Sequence, residues 1–241
     1  MLPFFSFAFF PSLFPTSAPS DNSPTHIVKV DFSDPPSTEN TPFELKENAK
    51  ILSVPGASFD ALRIDSNGPY ALIPGVDISP SKMPNCTLMI GLYLESIANS
   101  RGWVFGNEDQ DYDRTILMHD SRFDGAISVA LGRDANDSTD PTSGWSAWDN
   151  PQPPPVGEWI HVTAVIRQEG ESYVFLNGLK SDRTNIGKNN DGEPDLWVGR
   201  PKHLTPEHWT DAWIKEVMVF DDALSDDLVA AYSENFLDSI I

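Results

Sequence analysis

One cysteine, Cys86, stands in 241 residues, so no disulfide can form within the chain. It opens an apolar run, CTLMIGLYLE, with no basic cluster around it to favour a thiolate, and reads as a small buried hydrophobe. Basic residues are scarce. Sixteen Lys and Arg face 36 Asp and Glu, a net charge of −20 that repels phosphate backbones and anionic lipid surfaces and so argues against nucleic acid and membrane-surface partners. Long uninterrupted hydrophobic runs are lacking too. The most apolar stretch, MLPFFSFAFFPSLFPTSAPS, is broken at Pro3, Pro11 and Pro15 and is short for a bilayer crossing, so no span is expected in the mature form. No G-x-S-x-G, H-E-x-x-H, paired-cysteine metal motif or phosphate-cradling glycine loop occurs.

What is present is β-forming sequence. Short runs rich in branched and aromatic residues follow one another: KILSV (50–54), FDALRID (59–65), YALI (70–73), CTLMIGLYLE (86–95), GWVFG (102–106), RTILMHD (114–120) and AISVALG (126–132). EWIHVTAVIRQ (158–168), SYVFLN (172–177), DLWVG (195–199) and AWIKEVMVFD (212–221) complete the series. Turn clusters, not helices, separate them, and Pro is abundant at 21 residues. So many strands without intervening helices predict an all-β, antiparallel two-sheet jelly-roll sandwich. Asn177-Gly178 predicts a two-residue hairpin turn with positive φ at both residues. One short C-terminal helix is expected, capped by Ser225 and carrying Asp226 and Asp227 in its first turn.

Residues 1–18 have the apolar core and small-residue end of a signal-like segment, although no Lys or Arg precedes them. Residues 19–48 are rich in Pro, Ser, Thr and acids and read as a flexible tether, with one strand-like patch at 26–32. The folded domain is then expected over 49–241, secreted or held at the cell surface. Two N-x-[ST] sequons, at Asn85 and Asn136, are compatible with that setting.

In EWIHVTAVIRQ, Trp159, His161, Thr163 and Val165 share one face and Ile160, Val162, Ala164 and Ile166 the other. In the partner run Val174 and Leu176 oppose Tyr173, Phe175 and Asn177. The order W-I-H-V-T, then Y-V-F-L-N-G, then L-W-V-G, then A-W-I-K-E-V-M-V-F with A-L-S resembles the LamG-like jelly-roll domains of the concanavalin A-like lectin/glucanase superfamily over 157–235. The resemblance implies a structural role for His161 and, for some relatives, calcium at a sandwich rim.

Glucanases of that fold carry alternating acids on one strand, where paired carboxyls can act as nucleophile and acid. That motif is missing here, and the nearest imitation, Glu108 to Asp113, reads as a loop. The chain is therefore expected to be a non-catalytic extracellular recognition module for carbohydrate or glycoprotein. A glycoside hydrolase or lyase and a protein-binding adhesion module are the alternatives. Trp145 and Trp148, in a Pro-braced polar loop, are candidate sugar-stacking residues, with Asp120 and Arg122 as hydroxyl-orienting partners. Trp159, Trp197 and Trp213 are expected in the core. Calcium is the one candidate cofactor, with Asp109, Asp111 and Asp113 as ligands; Arg114 in place of the glycine excludes an EF-hand loop. Oligomeric state is left open by the sequence.

Overall fold

The computed structural model describes residues 24–33, 40–65, 68–97, 101–107, 113–120, 125–131, 145–147, 154–181, 185–186, 191–200 and 210–241. Among them the apolar alternation resolves into sixteen strands and one helix. The first seven are β1 (His26–Asp31), β2 (Glu44–Lys46), β3 (Lys50–Ser53), β4 (Asp60–Ile64), β5 (Tyr70–Ile73), β6 (Asn85–Ser96) and β7 (Arg101–Gly106). Then come β8 (Thr115–Asp120), β9 (Ala126–Ala130), β10 (Trp145–Ala147), β11 (Trp159–Arg167), β12 (Glu171–Leu176), β13 (Leu179–Lys180), β14 (Asn185–Ile186), β15 (Leu196–Val198) and β16 (Asp211–Phe220), followed by α1 (Asp226–Asp238).

The strands form two antiparallel sheets, as a jelly-roll sandwich requires. The nine-stranded sheet runs β13-β12-β11-β6-β16-β4-β3, with β1 also on β16 and β14 on β12. The seven-stranded sheet runs β10-β9-β8-β7-β15-β5-β2. Between them lies the main core. Leu88, Ile90, Leu92 and Leu94 of β6 and Ile160, Val162, Ala164 and Ile166 of β11 meet Val104, Ile116, Ile127, Val129 and Val198 of the facing sheet. These are the parities predicted for β11.

β6 reads as a continuous apolar run because it is covered on both sides. Its second face carries Met89, which packs with Val165, Phe175, Met218 and Phe220 under the helix residue Val229. Ser225 caps α1 by accepting from Leu228 N, and Asp226 and Asp227 lie in its first turn, as expected. Val229, Ser233 and Phe236, at helical spacing, turn inward. The helix sits close because the sheet makes room for it: a Cβ on Gly91 would lie 2.1 Å from the Phe236 ring. The Asn177-Gly178 turn has φ of 50° and 79°, the left-handed values its sequence predicts.

The tether reading is corrected at β1, where the strand-like patch is a core strand, and at β2. β1 pairs antiparallel with β16 over Val28–Asp31, and Val28, Val30 and Phe32 are fully buried in the core. Alternation in HIVKVDF outweighs the polar composition on either side. β2, also inside the expected tether, pairs with β5. The signal-like segment 1–18 lies outside the described residues.

Arg114, 1% exposed, has a role that its sequence neighbours did not announce. Its guanidinium donates to the Ile78 carbonyl at 2.9 Å, to Pro84 at 3.0 Å and to Met83, tying the 78–84 loop to the start of β8. It also lies 3.4 Å from Cys86 Sγ, a basic neighbour 28 positions away in sequence. Burial nevertheless pushes the Cys86 thiol up, against the opposing pull of Arg114. With one thiol in the chain the readout is clean: no labelling by a disulfide reagent in native buffer at pH 8 and stoichiometric labelling in denaturant are expected. Rapid native labelling would show the thiol to be accessible.

Candidate functional site

Three strands of the nine-stranded sheet lie side by side, and their registers place Trp159 of β11 opposite Tyr93 of β6, and Tyr93 opposite Trp213 of β16. Arg63 of β4 follows, opposite Trp213. All four alternate with core residues, so they belong to the face turned away from the other sheet. The result is one cross-strand row, Trp159–Tyr93–Trp213–Arg63, on an outer surface.

The three aromatics of the row, Trp159, Tyr93 and Trp213, are the floor of a cleft of about 460 Å³. Its wall is the turn Val54–Ser58, between β3 and β4, held by Ala57 N donating to the Val54 carbonyl at 3.1 Å. Ile240 and Ile241, beyond α1, line it as well. Phe59 meets Trp159 edge-on at 5.3 Å and Tyr93 meets it at 5.7 Å, so the indole is braced on two sides. Trp159 and Tyr93 are half-buried, while Trp213 is nearly covered.

Glu95, two residues beyond Tyr93 on the same face of β6, supplies the polar group. Oε1 accepts from Trp213 Nε1 at 2.5 Å and Oε2 from the Arg63 guanidinium at 2.7 Å. Arg63 in turn lies over the Trp213 ring at 5.4 Å and donates to the carbonyls of Ala212, at 3.1 Å, and Ile64. These contacts hold the carboxylate in place. Such an arrangement can stack a flat apolar surface and accept hydrogen bonds beside it. Glu95 is the one acidic side chain among the described residues lining the cleft, so the carboxyl pair of a glycosidase is missing there.

His161 lies next along β11 but not in the cleft. It is fully buried; its Nδ1 shares a 2.8 Å hydrogen bond with Ser233 Oγ of the helix, and its Nε2 has no hydrogen-bond partner among the described residues. Burial lowers its pKa to about 3, so the ring stays neutral. Its backbone is clamped as well: His161 N donates to Asn177 Oδ1 at 2.8 Å and Asn177 N to the His161 carbonyl at 2.8 Å. The histidine and the Asn-Gly turn thus form one structural lock between strand, hairpin and helix, in line with the structural role expected for His161.

Of the residues predicted for the site, three are described, and none of these lines the cleft. Trp145 is not on a loop but begins β10, its backbone paired with Ala130 on the edge of the seven-stranded sheet. A Pro-braced, polar flank hid a three-residue strand whose partner is local to the sheet, not to the sequence. Asp120 ends β8, opposite Ala126 and Arg101. Neither lies on the sheet that carries the cleft. Asp113 is 1% exposed, unlike a residue of a solvated acidic loop. Trp148, Arg122, Asp109 and Asp111 lie outside the described residues. Among those described, no three His, Cys, Asp or Glu side chains come together to hold a metal. Trp197 and Trp213 are buried as expected, 7% and 8% exposed. Trp159 and Trp213, however, face outward from the inter-sheet core into the cleft. The signal that could have found them is parity: each alternates with inward-facing Ile160 or Ala212 and Ile214.

Residues 93–230 match a family model, Laminin_G_3, described as the concanavalin A-like lectin/glucanases superfamily. The chain belongs to that superfamily. The matched span holds Tyr93, Glu95, Trp159 and Trp213, and leaves Arg63 and the Val54–Ser58 turn outside it. Similar superfamily-like folds occur in solved structures at low identity. The binding domain of botulinum neurotoxin serotype D superposes with a TM-score of 0.61 at 13% identity, covering 87% of this chain and 51% of that one. The binding domain of Paraclostridial Mosquitocidal Protein 1 gives 0.62 at 15% identity, with 83% and 49% covered. The serotype D ligand binding domain in complex with N-acetylneuraminic acid gives 0.61 at 12% identity, with 87% and 50% covered. The chain thus spans about half the length of these structures. Against curated protein sequences it finds no match.

Proposed function

We propose that this chain is a non-catalytic recognition module for carbohydrate, free or on a glycoprotein, with the ligand seated in the Trp159–Tyr93–Trp213 cleft. The observation that carries the reading is the row of aromatics on an outer sheet face with a fixed carboxylate beside it. Indole and phenol faces take the C–H side of a sugar ring, and Glu95 accepts from its hydroxyls. A superfamily of lectins and glucanases supports it, as does the neuraminic acid bound by the serotype D domain of like fold. One carboxyl side chain, not two, among the described lining residues favours binding over hydrolysis. The reading includes export, on the strength of the apolar first eighteen residues. Calcium enters the reading only through Asp109, Asp111 and Asp113, of which Asp113 is the one described member. No helix among the described residues is long and apolar enough to cross a membrane.

A glycan array followed by calorimetry tests this. Trp159→Ala is expected to weaken the strongest glycan at least tenfold, about 1.4 kcal/mol, with the β-sheet circular-dichroism signal unchanged. Trp145→Ala is expected to leave affinity within twofold. Binding by the parent protein that Trp159→Ala does not alter would move the site elsewhere. A chelator arm run in parallel reads out calcium.

A further inference from the structure

Resting on the reading above, we infer that the cleft selects sugar rings that are neutral or carry an ammonium group, and rejects those carrying a carboxylate. The charge that faces the ligand is negative. Glu95 lines the cleft and its side chain is 36% exposed, whereas its partner Arg63 is 22% exposed and does not line it. Arg63 also has its donors turned to the protein: one nitrogen to the carbonyls of Ala212 and Ile64, the other to Glu95.

The other cations nearby are placed no better. Lys215, 6% exposed, does not line the cleft, and its ammonium lies 5.6 Å from the centre of the Phe59 ring, 5.9 Å from that of Phe236 and 3.8 Å from Asp31 Oδ2. Lys50, opposite Arg63 on β3, is one strand further out and does not line the cleft. No Lys or Arg is among the described lining residues.

Three effects then act in one direction. A ligand carboxylate in the cleft meets Glu95 with no cation among the described lining residues to pair it, which disfavours binding. The electron-rich faces of Trp159 and Tyr93 attract cations and repel anions. The net charge of −20 slows the approach of acidic polymers and hastens that of basic ones. An ammonium at the same position meets all three favourably.

The experiment compares matched glycans that differ only in charge: neutral hexose oligomers, unacetylated hexosamine oligomers, uronate oligomers, and sialylated against asialo chains. Calorimetry at 150 mM salt follows the array. The expected result is that uronate and sialylated members bind at least tenfold more weakly than their uncharged counterparts, with hexosamine members equal or tighter. Glu95→Gln, which removes the charge and keeps one of the two acceptor contacts, should narrow that gap at least threefold. Ser58→Lys, on the exposed lip of the cleft, should raise affinity for acidic members severalfold without disturbing packing. Acidic glycans that bind best, and lose binding on Trp159→Ala, would overturn the selection and leave the cleft reading intact. Hexosamine binding that survives Trp159→Ala would overturn it as bulk charge attraction. A parent protein that binds no glycan would overturn both the selection and the reading beneath it.

Discussion

Acidification from pH 7 to pH 4 is expected to cost the domain about 3 kcal/mol through His161 alone. The imidazole is fully buried, its pKa lowered to about 3 by desolvation, against 6.5 for an exposed ring. Above pH 6.5 neither folded nor unfolded chain protonates it, and stability is unaffected. Between 6.5 and 3 the unfolded chain takes up a proton that the folded chain refuses, so stability falls with pH, by at most about 1.4 kcal/mol per pH unit. Below 3 both states are protonated and the loss is complete. Glu216 works in the opposite direction, because burial raises its carboxyl. Urea unfolding at pH 7, 5.5 and 4 of the parent and of His161→Gln isolates the contribution. The variant, which can still hydrogen-bond Ser233, should show a shallower slope by close to one proton. Equal slopes in the two proteins would mean that the ring is already charged, or already exposed, in the folded state.

Phe236→Ala is expected to lower stability by about 3–5 kcal/mol, the range for truncating a buried aromatic. The ring is 2% exposed. It lies against the backbone at Gly91, 5.3 Å from His161 and 6.3 Å from Trp159, and so couples the helix to the end of the aromatic row. Loss of the ring should therefore also loosen Trp159 and weaken ligand binding, although Phe236 does not line the cleft. Gly91→Ala attacks the same contact from below, since its new Cβ cannot coexist with the ring in its present position. Each single change should lower the urea midpoint strongly, and the double change should cost less than the sum, because the added methyl occupies space the lost ring vacates. A loss under 1 kcal/mol for Phe236→Ala would show that the helix is dispensable to the sheet.

How much of this could be read in the letters follows from the range of each interaction. The β11–β12 hairpin was legible because its signals are local: alternation in WIHVTAVI and SYVFL, and an Asn-Gly pair that only a tight turn explains. The capped helix was legible for the same reason. Arg114 was not, because its carbonyl partners lie about thirty positions away and backbone acceptors leave no mark in a sequence. The cleft was hidden more deeply. Trp213 and Glu95 are 118 positions apart, and they meet only because β6 and β16 pair in one register. A slip of one residue in that pairing would turn each side chain to the opposite face. In the sequence Trp145 and Trp148 stand out in a polar setting, while the cleft-lining indoles look like ordinary strand residues.

β16 shares one of its flanks between two neighbours: β4 covers Ala212–Ile214 and β1 covers Glu216–Phe220. The second half of that seam is therefore closed by the earliest described part of the chain. A chain trimmed past residue 32 would leave a row of unpaired amides and three empty apolar sockets where Val28, Val30 and Phe32 belong, open to any extended peptide of matching alternation, including the same segment from another molecule.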